Sequence, residues 1–403
     1  MDAVLPRTRK AVFTRAPAGL RFLVVIEKFF GLPQAVAMRI LVAPDKFKGS
    51  LTAVEAAEAI RRGLLAADPH ADVRMRPIAD GGEGTAEAIC QAGGGEWVVC
   101  RARGPLGDPV EARYAWLPGG IAVIDMSEAS GIGRISASRR DPLRATTFGT
   151  GEMIADAARR GARKILIGLG GSATNDGGCG IAAALGFRFL AADGTPMDPV
   201  PQNLPSLDRI LAPDALDLPE LIALCDVQNP LLGTRGATHT YGPQKGAVDL
   251  QPLEDALHHL AGIAARDLGR DCRDVPGAGA AGGTGFGLMC FLGASFRPGF
   301  EMIAGVLGLE KEMAQSDLVI TGEGRLDAQT LEGKGPLGVA GLARRCGKRV
   351  VAFAGCIDAD PRLREIFDDV VAITPPGLPL GEALRNAGHL LESAAARLML
   401  APS

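Results

Sequence analysis

Arg39-Ile40-Leu41-Val42-Ala43-Pro44-Asp45-Lys46-Phe47-Lys48-Gly49-Ser50 is the stretch on which the fold turns. A short apolar run stopped by Pro44 and Asp45 has the pattern of a strand buried on both faces of a parallel sheet. Ser50 or Thr52 can then N-cap a helix through Leu65, with Val54, Ala57, Ile60, Leu64 and Leu65 on one face. A second strand is expected over Val73 to Ala79, ending in Asp80-Gly81-Gly82-Glu83-Gly84-Thr85, and a helix through Cys90 follows. The opening is therefore β-α-β-α.

The same grammar returns at the far end. Leu318 to Thr321 reads as a strand entering the loop Gly322-Glu323-Gly324-Arg325-Leu326-Asp327, with further strands at Val350–Ala354 and Asp369–Thr374 and a last helix from Leu380 to Leu400. Two strands in front and three behind make a five-stranded, doubly wound parallel sheet of flavodoxin-like kind. The fold class is α/β, and the intervening chain must be an inserted mixed α/β domain. The expected division is 38–94 with 289–403 for the flavodoxin-like domain and 95–288 for the insert. Residues 1–37 are an N-terminal extension expected to be poorly ordered.

Within the insert, Trp97 to Ile124 with turns at Gly104–Asp108 and Pro118–Gly120 suggests antiparallel pairing. A helix over Gly149–Arg160 and a strand over Lys164–Ile167 lead into Gly168-Leu169-Gly170-Gly171-Ser172-Ala173-Thr174-Asn175-Asp176-Gly177-Gly178, which opens a helix through Leu185. Pro196 to Pro219 reads as a surface excursion.

Glycine makes up 54 of 403 residues, about 13% against a usual ~7%. The glycines cluster beside Asp, Glu, Asn, Ser and Thr, a composition suited to close approach of polar or phosphate-bearing ligands. A net charge of −3 with no basic stripe argues against a nucleic-acid partner. Eight scattered cysteines without a C-x-x-C pair read as reduced thiols of a cytoplasmic protein. Leu20 to Ile26 is too short to span a bilayer. Arg7, Arg9, Arg15 and Arg21 bring a signal or transit peptide to mind, but no clean cleavage site follows. A working chain that begins at Met38 is a second explanation.

Ligands of open parallel sheets bind beyond the carboxyl ends of the strands. Three acid-bearing loops fall there: Pro44 to Ser50, Asp80 to Thr85, and Gly322 to Asp327. Phosphoryl transfer needs cations, N–H donors, carboxylates for Mg²⁺ and a base for the acceptor hydroxyl. Lys46, Lys48, Lys245 and Lys334 supply cations; Asp45, Asp80, Glu83, Asp176, Glu323 and Asp327 supply carboxylates. A Walker A loop is absent. Gly277 to Gly282 has dinucleotide spacing but follows no strand, so a nicotinamide reading fails its context; the glycines through Gly287 are read as a phosphate nest ahead of the alternative, a close packing surface. The five histidines show no ligand spacing, and zinc chemistry is not expected.

Taken in order, these stretches resemble the type I glycerate kinase family. The matching segments are Ala43 to Leu51, Ile78 to Thr85, Gly168 to Gly178, Asp226-Val227-Gln228-Asn229-Pro230-Leu231, Tyr241 to Ala247, Pro276 to Gly283, and Ile320 to Asp327 with Gly333-Lys334. The resemblance implies ATP-dependent phosphorylation of D-glycerate, usually to 2-phosphoglycerate, with Mg²⁺. A monomer or homodimer without nucleic-acid or membrane partners is expected. Many members carry Ser in place of Lys46 and Thr in place of Gln228, so Lys48 is the cation to favour. By position, Asp45, Lys48 and Asp80 are the catalytic candidates, Asp45 or Asp80 orienting the attacking hydroxyl. Gly81, Gly82, Glu83, Thr85, Ser172, Asn175, Asp176, Asn229, Lys245, Gly282, Gly283 and Lys334 are candidates for substrate or nucleotide binding. Glu323 and Asp327 are the candidates for the metal-bound phosphates. The alternative from another class is a non-catalytic binding protein or sensor for a small sugar acid.

Overall fold

The computed structural model of the protein describes residues 37–79, 81–327, 335–358, 360 and 362–400. Asp80, Gly333, Lys334 and nearly all of the N-terminal extension lie outside the described residues. β1 (Arg39–Val42), β2 (Asp72–Met75), β11 (Leu318–Leu326), β12 (Arg349–Ile357) and β13 (Asp369–Ala372) form a sheet in the order β13-β12-β11-β1-β2. Every neighbouring pair in it is parallel. Ranked along the chain, that order is 2-1-3-4-5, the flavodoxin-like arrangement that the terminal segments predict.

The first helix, Ala53–Ala67, starts on a capping box: Thr52 Oγ1 accepts from the Glu55 amide at 3.2 Å while Thr52 N donates to the Glu55 carboxylate at 2.8 Å. Its buried Ala56, Ile60 and Leu64 pack with Leu391, Ala394 and Ala395 of the Ala387–Leu400 helix on one face of this sheet. Three sequence expectations shift in detail. The last helix is two, Leu380–Arg385 and Ala387–Leu400. The stretch 322–326 is not loop but continues β11, paired with β12 as far as Leu326 opposite Ile357. Pro196 to Pro219 contains β8 (Leu207–Leu211), which pairs antiparallel with β7 (Arg188–Ala191).

A second sheet runs β10-β9-β6-β5-β4-β3. β3 (Glu96–Arg103), β4 (Pro109–Leu117) and β5 (Ile121–Asp125) are antiparallel, as the turn residues predict. β5, β6 (Lys164–Gly168), β9 (Glu220–Leu224) and β10 (Ser295–Arg297) are parallel. β10 thus belongs to this sheet although it lies after residue 288. The two sheets share a core. Leu41, Val319 and Val350 of the first and Ala115, Val123 and Ile222 of the second belong to one buried cluster, with Ile89 and Phe300 from helices Thr85–Gly93 and Gly299–Val306.

Loop 81–86, which leaves the first sheet, docks on the carboxyl ends of three parallel strands of the second. Leu169 N donates to Gly81 O at 3.0 Å. A Cβ on Gly81 would sit 3.0 Å from Leu224 O, and one on Gly170 would sit 2.7 Å from Glu83 N. These glycines hold the two sheets at backbone contact, where a methyl group has no room. Gly170→Ala is therefore expected to lower stability by about 1–3 kcal/mol, the usual cost of overpacking. Gly262→Ala, on the open face of the Gln251–Leu268 helix with nothing within 4 Å, should instead stabilise by roughly 0.4–1 kcal/mol. Urea midpoints of the two variants against the parent check both signs.

Candidate active site

A cavity of about 710 Å³ opens where the two sheets meet, within the ~300–1,000 Å³ range of small-molecule sites. One wall comes from the loop after β1, with Asp45, Lys46, Lys48 and Gly49, and from Glu83 and Gly84. The other comes from the second sheet, with Arg113 and Asp125, and from the short helices after β5, with Glu128 and Arg134. The β1 loop is tightly built. Ser50 Oγ donates to Phe47 O at 2.9 Å, and Lys46 N donates to Asp45 Oδ1 at 2.7 Å. Lys46 Nζ donates to Glu83 O at 2.9 Å, tying the two predicted loops together.

Asp45 N donates to Gly322 O at 2.8 Å, which extends the β1–β11 ladder by three residues beyond Val42 opposite Ile320. That register sets Asp45, just past the end of β1, beside Glu323 of β11, ~4.8 Å apart in the hydrogen-bonding direction. Both are buried, at 4% and 8% exposure. The expected pairing of Glu323 with Asp327 is not what the backbone provides. Four residues along an extended strand separate their Cα atoms by ~13 Å, and Asp327 lies 3.6 Å from the Arg325 guanidinium, which also pairs with Asp358 at 2.8 Å. Among the described residues no group of three His, Cys, Asp or Glu side chains is arranged for a metal. Mg²⁺ commonly takes one or two carboxylates plus substrate phosphates and water, a demand that Asp45 and Glu323 fit.

The other candidates divide by burial. Thr85 is fully buried, and its Oγ1 donates to Gly82 O at 2.7 Å, closing the turn. Asp176 is also fully buried; it accepts from Thr147 N (2.8 Å), Thr147 Oγ1 (2.9 Å), Gly178 N (3.1 Å) and Gly180 N (3.1 Å). Burial raises its pKa, opposed by those same donors. Asp176 thus fastens the glycine loop to the start of the Phe148–Arg159 helix, a task that occupies its oxygens. Lys245, only 2% exposed, donates to Ser172 Oγ at 2.9 Å and to Thr174 O at 2.6 Å. Asn175 donates to Thr238 Oγ1 at 3.1 Å, and Asn229 accepts from Tyr241 O–H at 2.8 Å.

Gly282 and Gly283 have φ of 71° and 84° inside the Ala280–Leu292 helix and lie against Thr174, Asn175 and Gly177. Of the two readings of the Gly277–Gly287 run, close packing is the one this geometry supports. Ser172, Asn175, Asp176, Lys245, Gly282 and Gly283 therefore converge, as a buried polar layer behind the cavity wall. Sequence reasoning missed Arg113, Asp125, Glu128 and Arg134. Glu128 lies 3.4 Å from the Arg113 guanidinium and 2.9 Å from that of Arg134, and Arg113 stacks 4.1 Å above the Trp97 ring. The available signal was Ile121-Ala122-Val123-Ile124-Asp125, an apolar run ended by an acid just as at Asp45.

A cleft at the carboxyl ends of parallel strands, walled by lysines, arginines and acids, suits an enzyme acting on a small anionic substrate. The chain belongs to the glycerate kinase family, whose model matches residues 40–401. It is 42% identical to a glycerate kinase of Halalkalibacterium halodurans over 90% of this chain and 98% of that one. It is also 42% identical to the glycerate 2-kinase of Escherichia coli K12, over 87% and 94% of the two chains. A crystal structure described as a candidate glycerate kinase 2 of Salmonella typhimurium LT2 superposes with a TM-score of 0.77 at 42% identity, covering 90% of this chain and 98% of that one. No helix among the described residues is long and apolar enough to cross a membrane.

Burial lowers the Lys245 pKa to about 7, with Asp176 acting in the opposite sense. An unfolded lysine ionises near 10.5, so between about 7 and 10.5 the folded chain holds fewer protons than the unfolded one and stability rises with pH. The urea midpoint of the parent is expected to climb relative to that of Lys245→Met between pH 7 and pH 10. Parallel midpoints would show that Lys245 does not titrate in this window.

Proposed function

We propose that the chain transfers the γ-phosphoryl group of ATP to the 2-hydroxyl of D-glycerate in the cleft between its two sheets. The observation that carries this reading is the placement of Asp45, Lys46 and Lys48 in the loop after β1, lining the same cavity as Arg113 and Arg134, with Glu323 of β11 beside Asp45. Phosphoryl transfer is positioning plus charge stabilisation, and these residues supply both.

Lys48 donates to the phosphates or to the glycerate carboxylate, within reach of the same cavity. Asp80, placed by sequence directly after the second strand, takes the proton of the attacking hydroxyl. Glu83 and its neighbours hold the wall on which the acceptor rests. Asp45 and Glu323 would hold Mg²⁺, which when bound neutralises phosphate charge. The buried layer of Asn175, Asp176 and Lys245 supports the loop rather than touching substrate. Membership of a kinase family lends no support to the sensor reading or to a nicotinamide enzyme.

Purified chain with ATP, Mg²⁺ and D-glycerate is expected to release ADP in a coupled assay, with 2-phosphoglycerate as product by NMR. Tight glycerate binding without ADP release would sink the proposal, and 3-phosphoglycerate would overturn the choice of hydroxyl. Asp80→Asn should lower kcat by roughly 10²–10⁴ with an unchanged melting temperature; near-normal turnover removes Asp80 from the role of base. Glu323→Gln should raise the Mg²⁺ concentration needed for half-maximal rate. An unchanged Mg²⁺ requirement would release Glu323 from that role.

A further inference from the structure

Helix Thr85–Gly93 lacks a capping side chain of its own. Its N-cap is Gly84, at φ 93°, and no side chain of the cap residue reaches the exposed amides. The acceptor comes instead from the other sheet. Asp125, the last residue of β5, accepts from Gly84 N at 2.9 Å through Oδ2, and from Ala86 N at 3.2 Å through Oδ1 and 3.3 Å through Oδ2. It is 6% exposed yet forms part of the cavity wall together with Lys46 and Glu83. Its approach depends on Gly168 of β6, opposite Asp125 in register, where a Cβ would sit 2.9 Å from Asp125 Oδ1.

We propose that Asp125 is a positioning residue, a carboxylate carried on the second sheet that caps the helix of the first and so fixes loop 81–86 at the active site. The cap works by charge as well as by hydrogen bonding, because a carboxylate at a helix N-terminus meets the positive end of the backbone dipole. Ionised, Asp125 offers acceptor sites on both oxygens to two amides that no residue of the helix itself caps. Protonated, one oxygen becomes a donor and the charge is lost, so the loop is held less firmly.

The charged groups that act on it come from two other elements, and more line the same cavity, among them Arg113 of β4 and Arg134. Lys46, from the loop after β1, favours the ionised form; Glu128, from the Ser127–Ser130 helix, disfavours it; Glu83 and Glu87 share the cavity wall. Burial is the largest influence and pushes the Asp125 pKa up to about 7, against the Gly84 and Ala86 donors. The cap therefore changes state close to neutral pH, losing strength as pH falls through that value.

Hydrogen exchange followed by NMR or by peptide mass spectrometry on the full chain tests the cap without reference to catalysis. In the parent, protection of the Gly84 and Ala86 amides, corrected for intrinsic exchange, should rise as pH increases from 6 to 8. In Asp125→Asn those amides should exchange about tenfold faster or more at pH 8, since an amide presents one acceptor and a repelling N–H₂. Protection that is independent of pH in the parent, or equal in the two proteins, overturns the proposal. Should Asp125→Asn fail to fold, the parent's pH series decides alone.

The consequence for turnover rests on the kinase reading. The acid limb of the kcat profile near pH 7 should be lost in Asp125→Asn, with kcat down about tenfold or more at pH 8. A parent without ADP release counts against that reading and leaves the exchange result standing. A variant whose kcat profile matches that of an active parent counts against Asp125 alone.

Discussion

Leu169 donates its backbone N–H to the carbonyl of Gly81, and around that bond the carboxyl ends of two sheets come to rest on one another. The contact is main chain on main chain. Gly81 lies against Leu224 at the end of β9, Gly168 faces the Gly81 carbonyl, and Gly170 lies against Gly82 and Glu83. Side chains at these points would hold the sheets apart by the width of a methyl group or more. The cavity would then lose one wall, because Arg113 and Asp125 reach it only from the second sheet and Arg134 from the helical turns that follow β5.

This constraint accounts for the placing of the chemistry. The first sheet supplies Lys46 and Lys48 in the loop after β1 and the neighbouring acids Asp45 and Glu323. The second supplies two arginines bracketing Glu128 and a buried carboxylate that finishes a helix of the first. Neither sheet holds a complete set. The buried polar layer of Asp176, Lys245, Ser172 and Asn175 lies one step behind, keeping the Gly168–Gly178 loop in the shape that the seam requires. A lysine in that layer costs solvation, which its hydrogen bonds to Ser172 and Thr174 offset in part.

The shared core has a related consequence. Val123 and Ile222 of the second sheet and Val319 and Val350 of the first pack into one cluster through the helices between them. The inserted segment is therefore not a lobe hung on a linker, and the cleft is shaped by packing on both of its sides.

Much of this was legible in the residues. Apolar runs ended by an acid or glycine, with capping residues after them, pointed to a five-stranded parallel sheet of flavodoxin-like kind and to the edge at which ligands gather, because strand burial and helix capping are local rules; the strand order came from the structure. The order of the loop motifs also carried the family. Sequence could not tell a glycine that cradles a ligand from one that lets two backbones touch, since both need only the missing Cβ. Nor could it see that Asp176 and Lys245 face inward while Asp125 faces the cleft. Those outcomes depend on which strand ends meet, as does the pairing of Glu323 with Asp45 across two strands instead of with Asp327 along one. Register and the docking of one sheet on another are set by contacts between residues hundreds of positions apart, and only the tertiary structure decides them.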